Sequence, residues 1–315
     1  LPTVKKDTTN NGLDYTDRIL QADAGCSIAD FYSVRYAHFT EDEWRQRILE
    51  GKIALNGRPA GADDILSAGD LLVYSRPPWE ETDVPSDFAV LYEDASVLVF
   101  AKPSGLPVLP GGSFLEHTLL HLVRQRFGND CSPLHRLGRG TSGAILFTRN
   151  SRSARILSRA MAERRIRKVY LALASGIVSQ DAFTIEAPIG PVPYRPLTTI
   201  HAFNPKGRPS TSLVRVLERR TGEGATLLEV TIPTGRPHQI RIHLSCAGHP
   251  LVGDPLYGTG GLPLPIGEGE CAAALPGDSG YHLHSWKIRF SHPDTGQEME
   301  VVAPPPPILK LKNPA

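Results

Sequence analysis

The apolar residues of this chain fall into short periodic runs whose spacing predicts the elements. Over residues 41–51, Trp44 and Ile48 lie one turn apart and Gly51 offers a terminating cap, which predicts a helix. Two alternating runs, 52–57 and 69–74, are bounded by turn residues and read as strands. Residues 88–92 and 96–101 flank Glu93-Asp94-Ala95 in a hairpin pattern, and further strands are predicted at 144–148, 168–174 and 227–232. Between the first two of these, Ala154, Leu157 and Met161 recur at i, i+3 and i+7, so residues 151–167 read as an amphipathic helix. A last helix is predicted where Ile240, His243, Leu244 and Ala247 share a face and Gly248 can end it; Arg241 falls at the edge of that face.

Composition places the chain among globular proteins. Of 315 residues 40% are apolar, enough for a core, and no uncharged apolar run is long enough to span a bilayer. The length suggests two domains, and residues 75–87, with three prolines and four acids, read as the linker. Gly and Pro are frequent, which predicts an ordered, loop-rich fold. The cysteines Cys26, Cys131, Cys246 and Cys271 are widely spaced with no CxxC pair and are expected to be reduced thiols of an intracellular protein. No secretory signal is visible, and the chain opens on Leu1, so the compartment stays open.

A net charge of +1 at first argues against a nucleic-acid partner. The sum hides a division. Residues 1–87 hold nine basic and sixteen acidic side chains, whereas the remainder holds 25 basic and 17 acidic. Eight cations (Arg149, Arg152, Arg155, Arg159, Arg164, Arg165, Arg167 and Lys168) stand against Glu163 alone in twenty residues, more than solubility needs, and point to a phosphate backbone.

Two motifs mislead. Gly138-Arg139-Gly140-Thr141-Ser142-Gly143 matches G-x-G-x-x-G, but a strand-like run follows it where a dinucleotide site needs a helix N-terminus. His238, His243 and His249 cluster, yet the first two are five residues apart with no Glu between, which is not the zinc-protease spacing. Histidines bonded to backbone or to neighbouring side chains are the simpler reading.

Four longer motifs carry more. KPSGLPVLPGG from Lys102, HRLGRGTSG from His135, KVYLAL from Lys168 and GRPHQIRIHLSCAGHPLVGDPLYG from Gly235 stand in the order found in RNA pseudouridine synthases of the RluA type, and LHSWKIRFSHP from Leu283 is similar to that family's closing strand. The resemblance covers about residues 85–305. The preceding helix with GKIALNG and LSAGDLLVY resembles an S4-like RNA-binding module, although only Arg45, Arg47 and Lys52 represent its basic helix; RNA contact and a purely structural role both stay open. The resemblance implies an α+β fold: a mixed, largely antiparallel sheet with flanking helices and a central RNA cleft at 85–315, behind an S4-like module and linker at 1–84.

It also implies a chemistry without cofactor or metal, in which uracil is detached from ribose and rejoined through carbon after extrusion from its stack. Arg136 would fill the space left by the nucleotide, Tyr170 would stack on uracil and take part in proton removal, and Arg241 would pair with the family's nucleophilic Asp. Lys102, His135, Arg139, Thr141, Ser142, Arg236 and His238 are expected at the RNA-binding surface, joined by Arg152, Arg155, Arg159, Arg164 and Lys168 of the basic stretch. The departure is at Gly138, which holds the position of the family's Asp; the nearest acid in sequence is Asp130. Glycine offers no nucleophile. Arg241 is therefore expected to reach another carboxylate, with Asp254 a candidate, or to bind an RNA phosphate.

Three readings follow: a synthase acting on tRNA or rRNA through a relocated carboxylate or an atypical mechanism, a catalytically inactive RNA-binding protein on the same fold, and a metal-dependent hydrolase using His238, His243 and His249. The first is preferred because the glycine pattern around Gly138 is intact. RNA is the expected partner, with no membrane association and a monomeric state.

Overall fold

The computed structural model describes residues 9–36, 39–195, 197–265 and 274–312; Cys271 lies outside them. The chain divides into two compact units, Leu1–Thr82 and Asp83–Ala315.

The first unit is a four-stranded antiparallel sheet of β1 (Leu13–Arg18), β2 (Ile53–Leu55), β3 (Arg58–Pro59) and β4 (Leu71–Arg76) in the order β1-β4-β2-β3, with α1 (Ile28–Arg35) and α2 (Glu41–Leu49). Thr40 and Glu43 close a capping box at the start of α2. Trp44 and Ile48 then point inward as their spacing predicts, into a core with Tyr32, Ile53 and Leu72. The three cations expected to mark an RNA-binding helix are engaged locally. Arg45 pairs with Glu41 and Asp63, Lys52 with Glu50, and Arg47 lies 3.5 Å from the Phe39 ring centroid. Strand β1 and helix α1 extend this unit beyond the elements that periodicity marks out, and β4 runs to Arg76, two residues into the predicted linker.

The second unit is built on ten strands. In chain order these are β5 (Ala89–Glu93), β6 (Val97–Lys102), β7 (Ser132–Pro133), β8 (Ser142–Thr148), β9 (Arg167–Ser175), β10 (Ala182–Glu186), β13 (Thr211–Arg220), β14 (Ala225–Thr231), β15 (Leu283–Ser291) and β16 (Glu298–Val302); β11 (Ile189–Pro193) and β12 (Thr199–Phe203) form a separate ribbon. The main order is β10-β13-β14-β9-β15-β8-β6-β5, antiparallel except where β15 meets β8. The helices are α3 (Leu119–Phe127), α4 (Ser151–Ala162) and α5 (Gln239–Cys246). This is the mixed, largely antiparallel α+β architecture expected.

Central strands are covered on both faces, so their alternation sorts side chains between two cores rather than between core and water. On β9, Tyr170, Ala172 and Ala174 join the main core, while Leu171 and Leu173 turn to a second. Helix α4 buries Leu157 and Ala160 against the opposite side of β8. It is shorter than the predicted 151–167, because Arg164 adopts φ 57° and turns the chain into β9.

The parallel contact fixes how the site is framed. Gly143 pairs with Ser285 at φ 107°, and a Cβ there would stand 2.2 Å from the Ser285 carbonyl oxygen. Only glycine permits this approach. Gly143→Ala is expected to cost about 3 kcal/mol or more, read as a lowered melting temperature and poor recovery of folded protein; unaltered stability would show that β8 and β15 are not so closely joined.

Candidate active site

Loops leading into β8, β15 and α5, together with β9, surround a cavity of about 920 Å³, in the range of nucleotide and small-ligand sites. Arg136, Gly138, Tyr170, Arg236 and His238 line it, as do Arg164, Lys168 and His201. An inner chamber of about 90 Å³ continues past Arg136, Gly138, Tyr170 and His238 to Thr141, Arg241 and Tyr281. The motifs that begin at His135, Lys168, Gly235 and Leu283, far apart in sequence, thus meet at one place.

Arg241 is the centre of the inner wall. Helix α5 is buried along nearly its whole length, so its arginine is carried into the core rather than held at the face's edge, leaving it 2% exposed. Its Nε donates to Asp254 Oδ2 and its Nη2 to Asp254 Oδ1, both at 2.7 Å, while Nη1 donates to the Pro276 carbonyl. Asp254 Oδ1 also accepts from the backbone N–H groups of Leu256 and Tyr257. The guanidinium lies 4.2 Å from the Tyr281 ring centroid and 5.0 Å from that of Tyr257. A forked, bidentate pair of this kind offsets the desolvation of two buried charges. Of the two partners open to Arg241, the structure selects the carboxylate.

Gly138 is exposed to the cavity, and a Cβ on it would meet the Tyr281 hydroxyl at 3.0 Å and Thr141 Oγ1 at 3.5 Å. The two hydroxyls are themselves 3.2 Å apart. Tyr281 is 4% exposed. It precedes the closing-strand motif and carries no sequence signal of its own, so motif reading missed it.

His238 caps α5 in the left-handed region at φ 55°. This is uncommon for a residue with a side chain and is the kind of conformation that clusters at functional sites. Tyr257 donates its hydroxyl proton to the His201 carbonyl, so the proton shared with His238 Nδ1 at 2.8 Å belongs to the imidazole. Nε2 is then the unprotonated nitrogen. Burial, then the nearby Arg241 charge, pushes the His238 pKa down to about 3, keeping the ring neutral. Gln239 locks the same loop, accepting from Thr234 Oγ1 and the Arg236 N–H and donating to the Thr211 carbonyl and Ser212. Burial raises the Tyr170 hydroxyl to about 12, so this phenol stays protonated at neutral pH.

Several residues expected at the RNA surface have partners within the scaffold, although His135 and Arg139 also line the cavity. Lys102 is 1% exposed, and its Nζ donates to the carbonyls of Pro103, Leu106 and Arg139. Burial draws its pKa to about 7, while three acceptors match the three protons of the ammonium. The side chain ties two loops together and is withdrawn from RNA. Ser142 bonds His284, and His135 Nε2 accepts from the Leu146 N–H. Arg139 donates to the Gly277 carbonyl and Asp278. In the basic stretch, Arg149 pairs with Glu93, Arg152 with Asp294, and both Arg159 and Arg165 with Glu163. Of the arginines in this stretch, Arg164 alone lines the cavity, from the turn after α4. Arg136 is exposed and has no hydrogen-bond or ion-pair partner among the described residues.

The metal reading does not survive. His243 is bonded to Ser210, Ser212 and the Ala187 carbonyl, and His249 donates to the Ser175 carbonyl. Each histidine has a separate set of partners, and no cluster of three metal-ligating side chains occurs among the described residues. The G-x-G-x-x-G match likewise leads into strand β8, not a helix.

An antiparallel-dominated sheet with a basic-rimmed cavity, walled by an arginine, a tyrosine and a neutral histidine, suits an enzyme that takes an anionic substrate with a flat ring. A profile of the RNA pseudouridylate synthase family matches residues 96–246. The chain is 43% identical over 281 residues to the uncharacterized RNA pseudouridine synthase slr1592 of Synechocystis, covering 89% of this chain and 94% of that one. It is 38% identical to RNA pseudouridine synthase 5 of Arabidopsis thaliana, covering 96% and 95%. The solved structure of human RNA Pseudouridylate Synthase Domain Containing 1 superposes with a TM-score of 0.55 at 28% identity, over 73% of this chain and 89% of that one. The chain belongs to the RNA pseudouridine synthase family, an isomerase family acting on RNA. Both relatives are named as synthases, and the inactive-binder reading finds no support in them.

Because Arg241 depends on one buried carboxylate, Asp254→Asn keeps shape but leaves the guanidinium without a counter-charge. The expected loss is about 3–5 kcal/mol, read from denaturant unfolding. A loss below 1 kcal/mol, on the scale of an exposed pair, would show that the pair is not buried in solution.

Proposed function

We propose that the chain converts uridine to pseudouridine in structured tRNA or rRNA at this cavity, acting as a monomer inside the cell. The observation that carries the reading is the convergence of Arg136, Gly138, Tyr170 and Arg241 on the one inner chamber. The isomerisation breaks the N1–C1′ bond, turns the uracil and joins C5 to C1′, so the site must grip a flat base and stabilise charge without fixing the base's orientation. Tyr170 offers a ring face at the junction of the two chambers. Arg136, exposed at the mouth, is free to occupy the gap that an extruded nucleotide leaves in RNA. His238 Nε2 is an acceptor for an N–H of uracil. Arg241, held by Asp254, places fixed positive charge beside the departing base.

Phosphates would run along the cations that lack strong partners among the described residues. Arg164 at the cavity wall and exposed Arg155 on α4 are the foremost of these, with Arg236 at the rim, bonded only weakly to the Pro209 carbonyl at 3.4 Å. Arg152 and Arg159 join them by exchanging exposed acid partners for phosphate, since such pairs are worth little. The free thiols of Cys26, Cys131 and Cys246 suit a reducing compartment, and no helix among the described residues is long and apolar enough to cross a membrane.

Incubating the purified chain with cellular RNA and mapping pseudouridine is expected to reveal new product at specific uridines; none at any uridine sinks the reading. Replacing Arg155 and Arg164 together by Ala should weaken RNA binding and reduce the slope of log affinity against log salt by about 1–2. An unchanged slope would place the phosphates elsewhere.

A further inference from the structure

The reaction needs a group that attacks the sugar, and the position that would carry it is glycine. No Asp or Glu among the described residues lines either chamber. Asp254 is an unsuitable substitute. Its two oxygens accept from Arg241 twice and from the Leu256 and Tyr257 N–H groups, which stabilises the carboxylate where it is and occupies the lone pairs that would attack. Asp278 is engaged by Arg139 and by the Leu275 N–H.

Tyr281 meets the requirement that these acids do not. Its hydroxyl lies 3.0 Å from the point where a Cβ on Gly138 would stand, about where the oxygen of a carboxylate carried on that Cβ would reach. It lines the inner chamber beside Gly138, Tyr170 and Arg241. Its ring lies under the Arg241 guanidinium at 4.2 Å, so charge that grows on the phenol during attack faces a fixed cation. Thr141 Oγ1, at 3.2 Å, holds the hydroxyl in place and can donate to it once it is deprotonated. Glycine at 138 acquires a reason: any side chain there would press on this hydroxyl.

We propose that Tyr281 is the nucleophile of this chain, its phenolic oxygen standing where the family's carboxylate would act; the inference rests on the synthase reading above. The oxygen attacks C1′ as the N1–C1′ bond breaks, and the phenolic proton passes to N1 of the departing uracil. After the base turns, C5 attacks C1′, the bond from C1′ to the tyrosine oxygen breaks, and the proton lost from C5 returns to that oxygen. The net change moves the sugar from N1 to C5 and one proton from C5 to N1, with no other reactant. A tyrosine oxygen makes the equivalent attack on an anomeric carbon in sialidases.

The test follows tritium release from RNA labelled at uracil C5, with RNA binding measured in parallel. Tyr281→Phe keeps the ring under Arg241 and removes only the oxygen. It is expected to lose about a thousandfold in single-turnover rate, with RNA affinity unchanged within about twofold. Tyr281→Phe also clears the space beside position 138, so the double variant Gly138→Asp with Tyr281→Phe is expected to recover at least about tenfold over Tyr281→Phe alone. Release from Tyr281→Phe within about tenfold of the unaltered chain overturns the proposal, as does a double variant no better than Tyr281→Phe. No release from the unaltered chain overturns the synthase reading and this inference with it.

Discussion

The buried pair of Arg241 and Asp254 is the constraint on which the site depends. A guanidinium taken into the core without a partner would be prohibitive, so the loop carrying Asp254 and helix α5 depend on each other for their places. Once formed, the pair fixes what surrounds it. The Asp254 carboxylate gathers the N–H groups of its own turn, Arg241 reaches the Pro276 carbonyl, and two tyrosine rings pack on the cation. Tyr257 in turn sets the tautomer of His238 through the His201 carbonyl. A fixed charge, an oriented imidazole and a positioned phenol all follow from one ion pair.

The wall opposite is built by withdrawal of side chains. Gly138 leaves room for the Tyr281 hydroxyl, and Gly143 lets β15 lie against β8 so that Tyr281, just before that strand, is brought to the chamber. Lys102 spends its three protons holding the carbonyls of Pro103, Leu106 and Arg139. A lysine in a motif of an RNA-binding family invites a phosphate contact. Here its burial turns it into a clamp for the loop that carries Gly138.

Electrostatics divide the molecule more finely than net charge suggests. The basic stretch after Arg149 is partly answered by Glu93, Asp294 and Glu163, acids contributed in part from distant sequence. Arg164, without such a partner among the described residues, stands at the cavity wall. In the first unit the expected basic helix is spent on local ion pairs and on the Phe39 ring, which favours its structural role.

The sequence by itself determined the elements and the family. Trp44 and Ile48, the hairpin around Glu93, the strands at 144–148, 168–174 and 227–232, and the helix ending before Gly248 all appear close to where periodicity and turn chemistry put them, because those signals are local in the chain. The four motifs were legible for the same reason. Tertiary structure alone decided which carboxylate serves Arg241, which cations remain open to RNA, and what fills the space at Gly138. Thr141 and Tyr281 touch across 140 residues of sequence, and Ser96 and Asp294 across 198. Partnerships of that span are chosen by packing and by the cost of burying an unpaired charge, and neither leaves a periodic trace along the chain.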